Sequence, residues 1–306
     1  MQRYLLKRII QAIITLFLMS MIVFLLGRLS GDPVPLLLGD LATKEDAALI
    51  TKELGLDKPI PVQYGIFLKN ALQGDLGRSI RGGRRPVFDQ VIERIPASFQ
   101  LAITAAFISI IIGLPIGVIS AVRRGSFLDT AGRVLAMLGQ SMPAFWVGIV
   151  LMYLISVQFR WLPTSGYGSF KQLILPAVAL SGISLAGIVR LTRSSMLDVL
   201  GSEYVKLARI KGLSERLVIW KHAFSNSLIP VLTFVGTVLT GLMTGVVVIE
   251  TIFAWPGLGR LAFEAVSTRD FPTIQAVVLF MTVLFITSNL VVDILYAYVD
   301  PRIRYK

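Results

Sequence analysis

The sequence has no cysteine and only one histidine, His222. Without cysteine the chain cannot form disulfides, thiolate metal sites or a cysteine nucleophile. Charged residues make up only 16% of the 306 residues, whereas soluble domains carry about 25%. Because hydrophobic residues account for 55% of the chain, this shortage of surface-forming side chains indicates a protein of the lipid bilayer.

The residues that nucleotide chemistry needs are missing as well. A phosphate-binding loop requires a glycine-rich turn ending in Gly-Lys and then Ser or Thr, and the dipeptide Gly-Lys does not occur. The glycine cluster at 256–259 has no lysine and is interpreted as a turn. His222 lies in a basic segment without evident metal-binding or catalytic-triad partners. We therefore predict no enzymatic activity, no metal site and no cofactor bound by this chain.

The formal net charge of +12 is the one compositional feature that resembles a nucleic-acid-binding protein. Long uncharged stretches separate the basic residues, however, and no basic face is interleaved with base-stacking aromatics. The basic clusters lie between long apolar stretches instead. This arrangement predicts the lipid bilayer as the environment and no nucleic-acid partner.

Six apolar stretches are long enough to cross a bilayer, which takes roughly 20 mostly apolar residues in a helix. They are residues 9–26, 99–122, 134–157, 173–191, 228–249 and 274–298. The first follows Arg3, Lys7 and Arg8 and so also resembles a signal peptide. Its apolar run is long for a signal peptide, and a small-residue cleavage site is hard to find. We predict an all-α integral membrane protein with six transmembrane helices.

The distribution of Lys and Arg predicts the orientation, because short cytoplasmic loops are enriched in both. Basic residues are concentrated before the first stretch, between the second and third, between the fourth and fifth, and after the sixth. Both termini are therefore predicted to be cytoplasmic. Residues 31–96 are predicted to form a long external loop, and the whole chain, 1–306, a single membrane domain.

Acidic residues inside a membrane often mark proton or ion pathways. Glu250 lies at the outer end of the fifth stretch and Asp293 in the last turns of the sixth. We interpret both as interface-level or interhelical partners rather than proton carriers. An ion-coupled secondary transporter remains the alternative, since an uncharged sodium site leaves no such mark.

Residues 193–227, between the fourth and fifth stretches, form the most informative segment. Residues 203–211 favour a short helix with its acid first and its bases last, matching the helix dipole. Gly212 is placed to end that helix in a left-handed turn, and Ser214 to cap a second helix whose first turn holds Glu215. This elbow is predicted to expose Leu213 at its bend. By itself, a basic elbow is also compatible with plain solvation or with anionic lipid headgroups.

The elbow resembles the cytoplasmic loop of binding-protein-dependent ABC importers, whose consensus is Glu-Ala-Ala, three residues and then Gly. Ala208 and Gly212 match that spacing, whereas Lys206 and Leu207 depart from it and the Ile-x-Leu-Pro tail is absent. The dipeptide, oligopeptide and nickel permeases share these departures. That subgroup typically shows Glu-Tyr-Val, then Ala-Arg-x-Lys-Gly-Leu-Ser, which is found here at 203–205 and 208–214.

The likeness extends over nearly the whole chain. Short matching blocks occur in the expected order at 31–33, 54–59, 74–77, 141–146, 250–259, 269–272 and 300–304. Their order is similar to that of the first permease in a two-permease pair, and glutathione or peptide importer permeases are a close likeness. The resemblance leaves the substrate open among dipeptides, oligopeptides, glutathione and nickel chelates.

The resemblance implies a type I ABC importer permease fold in the bacterial inner membrane. Its implied partners are a second homologous permease, two cytoplasmic ATPase subunits that carry ATP and Mg, and an extracytoplasmic substrate-binding protein. The elbow would be the coupling segment that docks on an ATPase. The residues implied in that coupling are Glu203, Tyr204, Ala208, Arg209, Lys211, Gly212, Leu213 and Ser214.

Two further groups of residues are expected to act on the substrate side. Polar residues in or beside the apolar stretches are expected to line the pore, although each equally suits hydrogen bonding within the bundle: Gln140, Ser141, Thr240, Thr244 and Asn289. Residues of the outer segments are expected to contact the binding protein, the alternative being a passive lid: Arg81, Arg84, Arg85, Trp255 and Gly257.

Overall fold

The computed structural model describes residues 2–29, 45, 51–52, 55–80 and 83–299. Within these ranges the chain is helical apart from turns and one isolated antiparallel bridge, between Arg78 and Pro86. The chain divides into two compact units. One consists of Met1–Ala97 with Pro256–Thr287, and the other of Ser98–Trp255 with Ser288–Lys306. The predicted all-α class is confirmed for the described residues.

The helices are numbered α1 to α11 in chain order. They are α1 Gln2–Leu29, α2 Ile60–Leu72, α3 Val87–Val122, α4 Phe127–Ser141, α5 Ala144–Leu151, α6 Phe170–Leu200, α7 Glu203–Ile210, α8 Glu215–Leu217, α9 Ser225–Ile252, α10 Leu258–Thr268 and α11 Phe271–Val299. Two of them continue as π-helix: α5 into Met152–Gln158 and α8 into Val218–Phe224.

Long apolar helices confirm the membrane-spanning character. Among the described residues, four helices are long and apolar enough to cross a bilayer: Leu6–Leu29, Val87–Val122, Phe170–Leu200 and Phe271–Val292. A bent pair, Phe127–Ser141 with Ala144–Gln158, would add a fifth span. Helix α9 covers the predicted fifth stretch and continues through its interior Pro230. The count of six spans stays a prediction.

The third predicted stretch, 134–157, is not one straight helix. It is divided between α4 and α5, whose axes differ by 106°. Met142 has extended backbone angles, φ −91° and ψ 127°, and is followed by Pro143. Proline disfavours a helical conformation at the residue before it because its ring clashes with that residue's backbone. Pro143 therefore accounts for the bend that the apolar pattern did not predict.

Two helices extend beyond the predicted stretches. Helix α3 begins at Val87 rather than 99, and α2 lies within 31–96, so part of the predicted external loop is helical. Helix α6 continues to Leu200, so the connector predicted at 193–227 begins inside a helix. In both cases polar residues interrupted the apolar pattern without ending the helix, since a helix outside the bilayer needs only one apolar face.

The first unit has a core where three helices meet. The first turns of α3 contribute Val87 and Val91, which pack with Leu258 of α10 and Val277 of α11. At the start of α11 the buried Asp270 carboxylate accepts hydrogen bonds from three residues. The donors are the hydroxyl of Ser79, the backbone N–H of Ile80, and both the hydroxyl and the backbone N–H of Thr273.

In the second unit a buried carboxylate joins α3 to α9. Glu250 is fully buried, and its Oε1 accepts a hydrogen bond of 2.6 Å from the Ser98 hydroxyl. The interpretation of Glu250 as an interhelical partner is confirmed. The side chain of Asp293 lies outside the described residues, so its predicted role stays a prediction.

Candidate coupling site

The elbow at Gly212 forms through a specific backbone motif. Gly212 has a φ of +78°, the left-handed conformation that only glycine adopts without strain. Its N–H donates to the carbonyl of Arg209 at 2.9 Å, and the N–H of Leu213 donates to that of Ala208 at 3.3 Å. This pair of bonds is a Schellman motif, which satisfies carbonyls at the end of α7. The predicted left-handed turn is confirmed.

The second arm of the elbow starts where the sequence predicted. Ser214 is extended, with φ −60° and ψ 140°, and Glu215 begins α8. The Ser214 hydroxyl does not form the capping hydrogen bond that was predicted; its carbonyl accepts from Leu217 and Val218 instead. An ion pair of 2.8 Å between Arg209 Nε and Glu215 Oε1 spans the bend.

The prediction that Leu213 is exposed is wrong. Leu213 is half-buried and packs against a small core that includes Val205, Ala208 and Val218. A Schellman motif commonly brings the residue after its glycine into apolar contact with the last turn of the helix. This core also includes Val199 and Leu200 from the end of α6. The elbow is therefore braced against α6.

One side of α7 carries apolar residues that the elbow does not use in its own core. Tyr204, Leu207 and Ile210 follow one another at the three-residue spacing of a helix face and are 44%, 56% and 80% exposed. Lys206, Arg209 and Lys211, which lie beside them in the sequence, are exposed as well. Exposed apolar residues rimmed by polar ones mark interaction surfaces. The sequence interpretation omitted Leu207 and Ile210, although their spacing from Tyr204 was a signal for this stripe.

The expected pore-lining residues are only partly described. Gln140 and Ser141 are exposed at the end of α4, and Gln140 Oε1 accepts a hydrogen bond of 3.0 Å from Arg190 Nη1. Asn289 is half-buried in α11. Thr240 and Thr244 lie in α9, but their side chains are outside the described residues. The described contacts join none of these residues to one another, and their pore role stays a prediction.

Two arginines of the expected binding-protein surface are exposed. Arg84 lies in a turn with φ +57°, and Arg85 forms an ion pair of 2.7 Å with Glu93, both side chains being 55% exposed. Arg81 lies outside the described residues.

The other two expected contacts are buried. Trp255 is 1% exposed and packs edge-on against Tyr167 with 4.8 Å between ring centroids, and Gly257 is buried as well. The backbone N–H of Trp255 also donates a hydrogen bond of 2.8 Å to the backbone carbonyl of Glu250. The expectation that Trp255 and Gly257 contact a binding protein is therefore replaced by a packing role.

The described part of the chain contains no group of three or more His, Asp and Glu side chains that would hold a metal ion.

Two models of known protein families match the chain. Residues 113–305 match the family described as "Binding-protein-dependent transport system inner membrane component", and residues 1–102 match its N-terminal region. The chain belongs to this family. It is a permease subunit of an ABC importer, a multi-pass protein of the inner membrane.

Similar proteins cover the permease from end to end. It is 43% identical over 307 residues to the glutathione transport system permease protein GsiC of Salmonella choleraesuis strain SC-B67, with all of both chains covered. The GsiC protein of Escherichia coli strain K12 is 42% identical over the same length, again with complete coverage of both chains. These relatives agree with the likeness to glutathione importer permeases seen in the sequence motifs.

Solved structures support the fold. The inward-facing MetNI methionine ABC transporter matches with a TM-score of 0.59 at 16% identity, covering 69% of the permease and 96% of that chain. An amino acid ABC transporter crystallised with histidines matches with a TM-score of 0.55 at 14% identity, covering 69% and 94%. At such identities the likeness establishes the helical arrangement alone.

Proposed function

We propose that the permease carries small peptides or glutathione into the cell, driven by ATP that separate subunits hydrolyse. A substrate-binding protein delivers the solute, and the pathway lies between this permease and a second homologous one. Two cytoplasmic ATPases bind the ATP and Mg, and this chain performs no catalysis. The glutathione part rests on relatives whose names specify glutathione transport and that are 42–43% identical to this chain.

The observation that carries the ATPase coupling is the stripe of Tyr204, Leu207 and Ile210 on α7. In our proposal this stripe docks into a groove on an ATPase, and the surrounding lysine and arginine side chains form the polar rim. The Schellman turn at Gly212 and the core behind it hold α7 in a fixed orientation. A helix braced in this way transmits a displacement of the ATPase rather than absorbing it.

The proposed topology has six spans in one membrane domain and both termini in the cytoplasm. This topology puts α7, Arg124 and Arg209 on the cytoplasmic side and Arg84 outside, in agreement with the distribution of basic residues. Alternating access follows if ATP binds one of two permease states more tightly than the other. Ion coupling is disfavoured because the buried Glu250 carboxylate is engaged by Ser98, and a nickel-chelate cargo within the same family is the remaining alternative.

Reconstitution into vesicles tests this function directly. With both permeases, both ATPases and the binding protein present, we expect labelled glutathione or a labelled dipeptide to accumulate only when ATP is supplied on the α7 side. Uptake that persists without ATPases and follows an imposed sodium or proton gradient would contradict the proposal. Accumulation of a nickel chelate in place of both organic solutes would reassign the cargo.

Cross-linking tests the proposed binding-protein contact. Because the chain has no cysteine, the variant Arg84→Cys carries a single thiol, and Arg84 is exposed. We expect a thiol-reactive cross-linker to join this variant to the binding protein. The matched control is Arg124→Cys, another exposed arginine, which the proposed topology places in the cytoplasm. Equal cross-linking from both positions, or none from Arg84→Cys, would refute the contact.

A further inference from the structure

An ion pair with a buried carboxylate links α4 to α6 close to the elbow. Asp129 of α4 is 1% exposed, and both of its carboxylate oxygens accept hydrogen bonds from Arg193 of α6. Arg193 Nε lies 2.7 Å from Oδ1 and Nη2 lies 3.0 Å from Oδ2. The backbone N–H of Gly125 also donates to Oδ2 at 3.0 Å. Bidentate arginine–carboxylate pairs fix the relative position of the two groups more closely than a single bond does.

The helices beside this pair approach one another closely. A Cβ atom added at Gly117 of α3 would lie 2.6 Å from Cβ of Thr192 on α6, which real Cβ atoms do not tolerate. A Cβ atom at Gly132 of α4 would collide with the Ser120 hydroxyl on α3. The cytoplasmic ends of α3, α4 and α6 therefore have little freedom to slide past one another, since packed interiors transmit strain.

The same part of α6 is joined to both arms of the elbow. One turn beyond Arg193, the fully buried Met196 packs with Val118 and Ala121 of α3 and with Ala223 of the π-helix after α8. At the end of α6, Val199 and Leu200 contact the core formed by Val205, Ala208 and Val218. Contacts therefore run without interruption from the elbow through α6 to Asp129.

We propose that Asp129 and Arg193 are positioning residues that transfer movement of the elbow to α4. This inference rests on the proposed coupling role of the elbow. Helix α4 ends at the Met142–Pro143 bend and carries Gln140 and Ser141, so a displacement of α4 moves the polar end of this helix. The ion pair makes α4 follow α6 when an ATPase displaces the elbow.

An ion pair that only stabilises the fold would behave differently. Its loss would lower the amount of assembled transporter, and uptake and ATP hydrolysis would fall in proportion. Loss of an ion pair that transmits movement would lower solute uptake but not ATP hydrolysis. The ATPases would continue to hydrolyse ATP while α4 no longer moved with α6. The number of solute molecules taken up per ATP hydrolysed therefore distinguishes the two roles.

The test uses Asp129→Asn and Arg193→Gln in the complete reconstituted transporter. We expect each to keep substrate-stimulated ATP hydrolysis within twofold per assembled complex and to lower solute uptake per ATP at least tenfold. The matched control is Arg133→Gln, which removes an exposed cation 3.6 Å from the same carboxylate and is expected to change the ratio less than twofold. An unchanged ratio in the two test variants, or an equal loss in the control, would overturn the inference.

A milder substitution covers the case in which neither test variant assembles. Arg193→Lys keeps the charge but not the two parallel hydrogen bonds, so we expect roughly a threefold loss of uptake per ATP. An unchanged ratio would overturn the inference.

Gly212→Pro in the same assay separates the coupling role of the elbow from the transmission role of the ion pair. If Gly212→Pro uncouples transport while the Asp129 and Arg193 variants do not, only the transmission role is wrong. If Gly212→Pro changes nothing, the coupling role of the elbow is wrong.

Discussion

Replacing Gly212 with proline is expected to lower ATP-driven uptake severalfold or more while the permease still inserts into the membrane. Proline fixes φ near −65° and lacks an N–H, whereas Gly212 has φ +78° and donates a hydrogen bond to Arg209. Forcing a residue into or out of a sparsely populated backbone conformation costs about 1–3 kcal/mol of free energy. Because 1.4 kcal/mol corresponds to a tenfold change, we expect uptake to fall at least about fivefold in reconstituted vesicles.

Gly201→Ala is the matched control, since Gly201 also lies at the end of a helix next to α7. Its φ is −81°, and an added Cβ would meet only ordinary contacts of 3.6 and 3.7 Å. This variant is expected to retain uptake within about twofold, because alanine adopts that conformation readily. Equal uptake by Gly212→Pro and the parent would show that the elbow geometry is dispensable.

Replacing Trp255 with alanine is expected to deplete the permease from the membrane. Trp255 is among the largest fully buried side chains of the described residues and packs edge-on against Tyr167. Truncating a buried tryptophan to alanine typically costs about 3–5 kcal/mol, because it leaves a cavity as well as losing contacts. We expect a severalfold lower amount of membrane-inserted protein, measured by quantitative immunoblotting, and faster proteolysis of what remains.

Trp161→Ala is the control for this second prediction. Trp161 is 69% exposed and stacks on Phe159 with 5.0 Å between ring centroids. Its truncation leaves no cavity, so the amount of inserted protein is expected to stay close to that of the parent. If Trp255→Ala accumulated normally and lost only its affinity for the binding protein, Trp255 would be a contact residue after all and its packing role would be refuted.

Local signals in the sequence were sufficient to predict the elbow. The acid-first helix, Gly212 and the extended Ser214 all act within a few residues of one another, so neighbouring side chains and backbone geometry determine them. Such features need no knowledge of distant parts of the chain.

Features that depend on distant partners were not predicted. The contact that buries Trp255 comes from Tyr167, and the partner of Arg193 is Asp129; neither pairing is visible in a single sequence. Arg190 and Arg193 interrupt the apolar pattern, and so the continuation of α6 beyond the predicted span was not visible in the sequence. The bend after α4 was missed for another reason: apolar residues continue on both sides of Pro143, and only the proline itself marks the change of direction.

The 106° bend at Met142–Pro143 constrains how the permease changes state. Straightening it would require Met142 to become helical, which the following proline ring disfavours in every state of the transporter. Helices α4 and α5 should therefore keep their mutual angle and move together as one rigid body. The change between transport states then relies on rotation of this bent unit, and no helix has to unfold and refold within the bilayer.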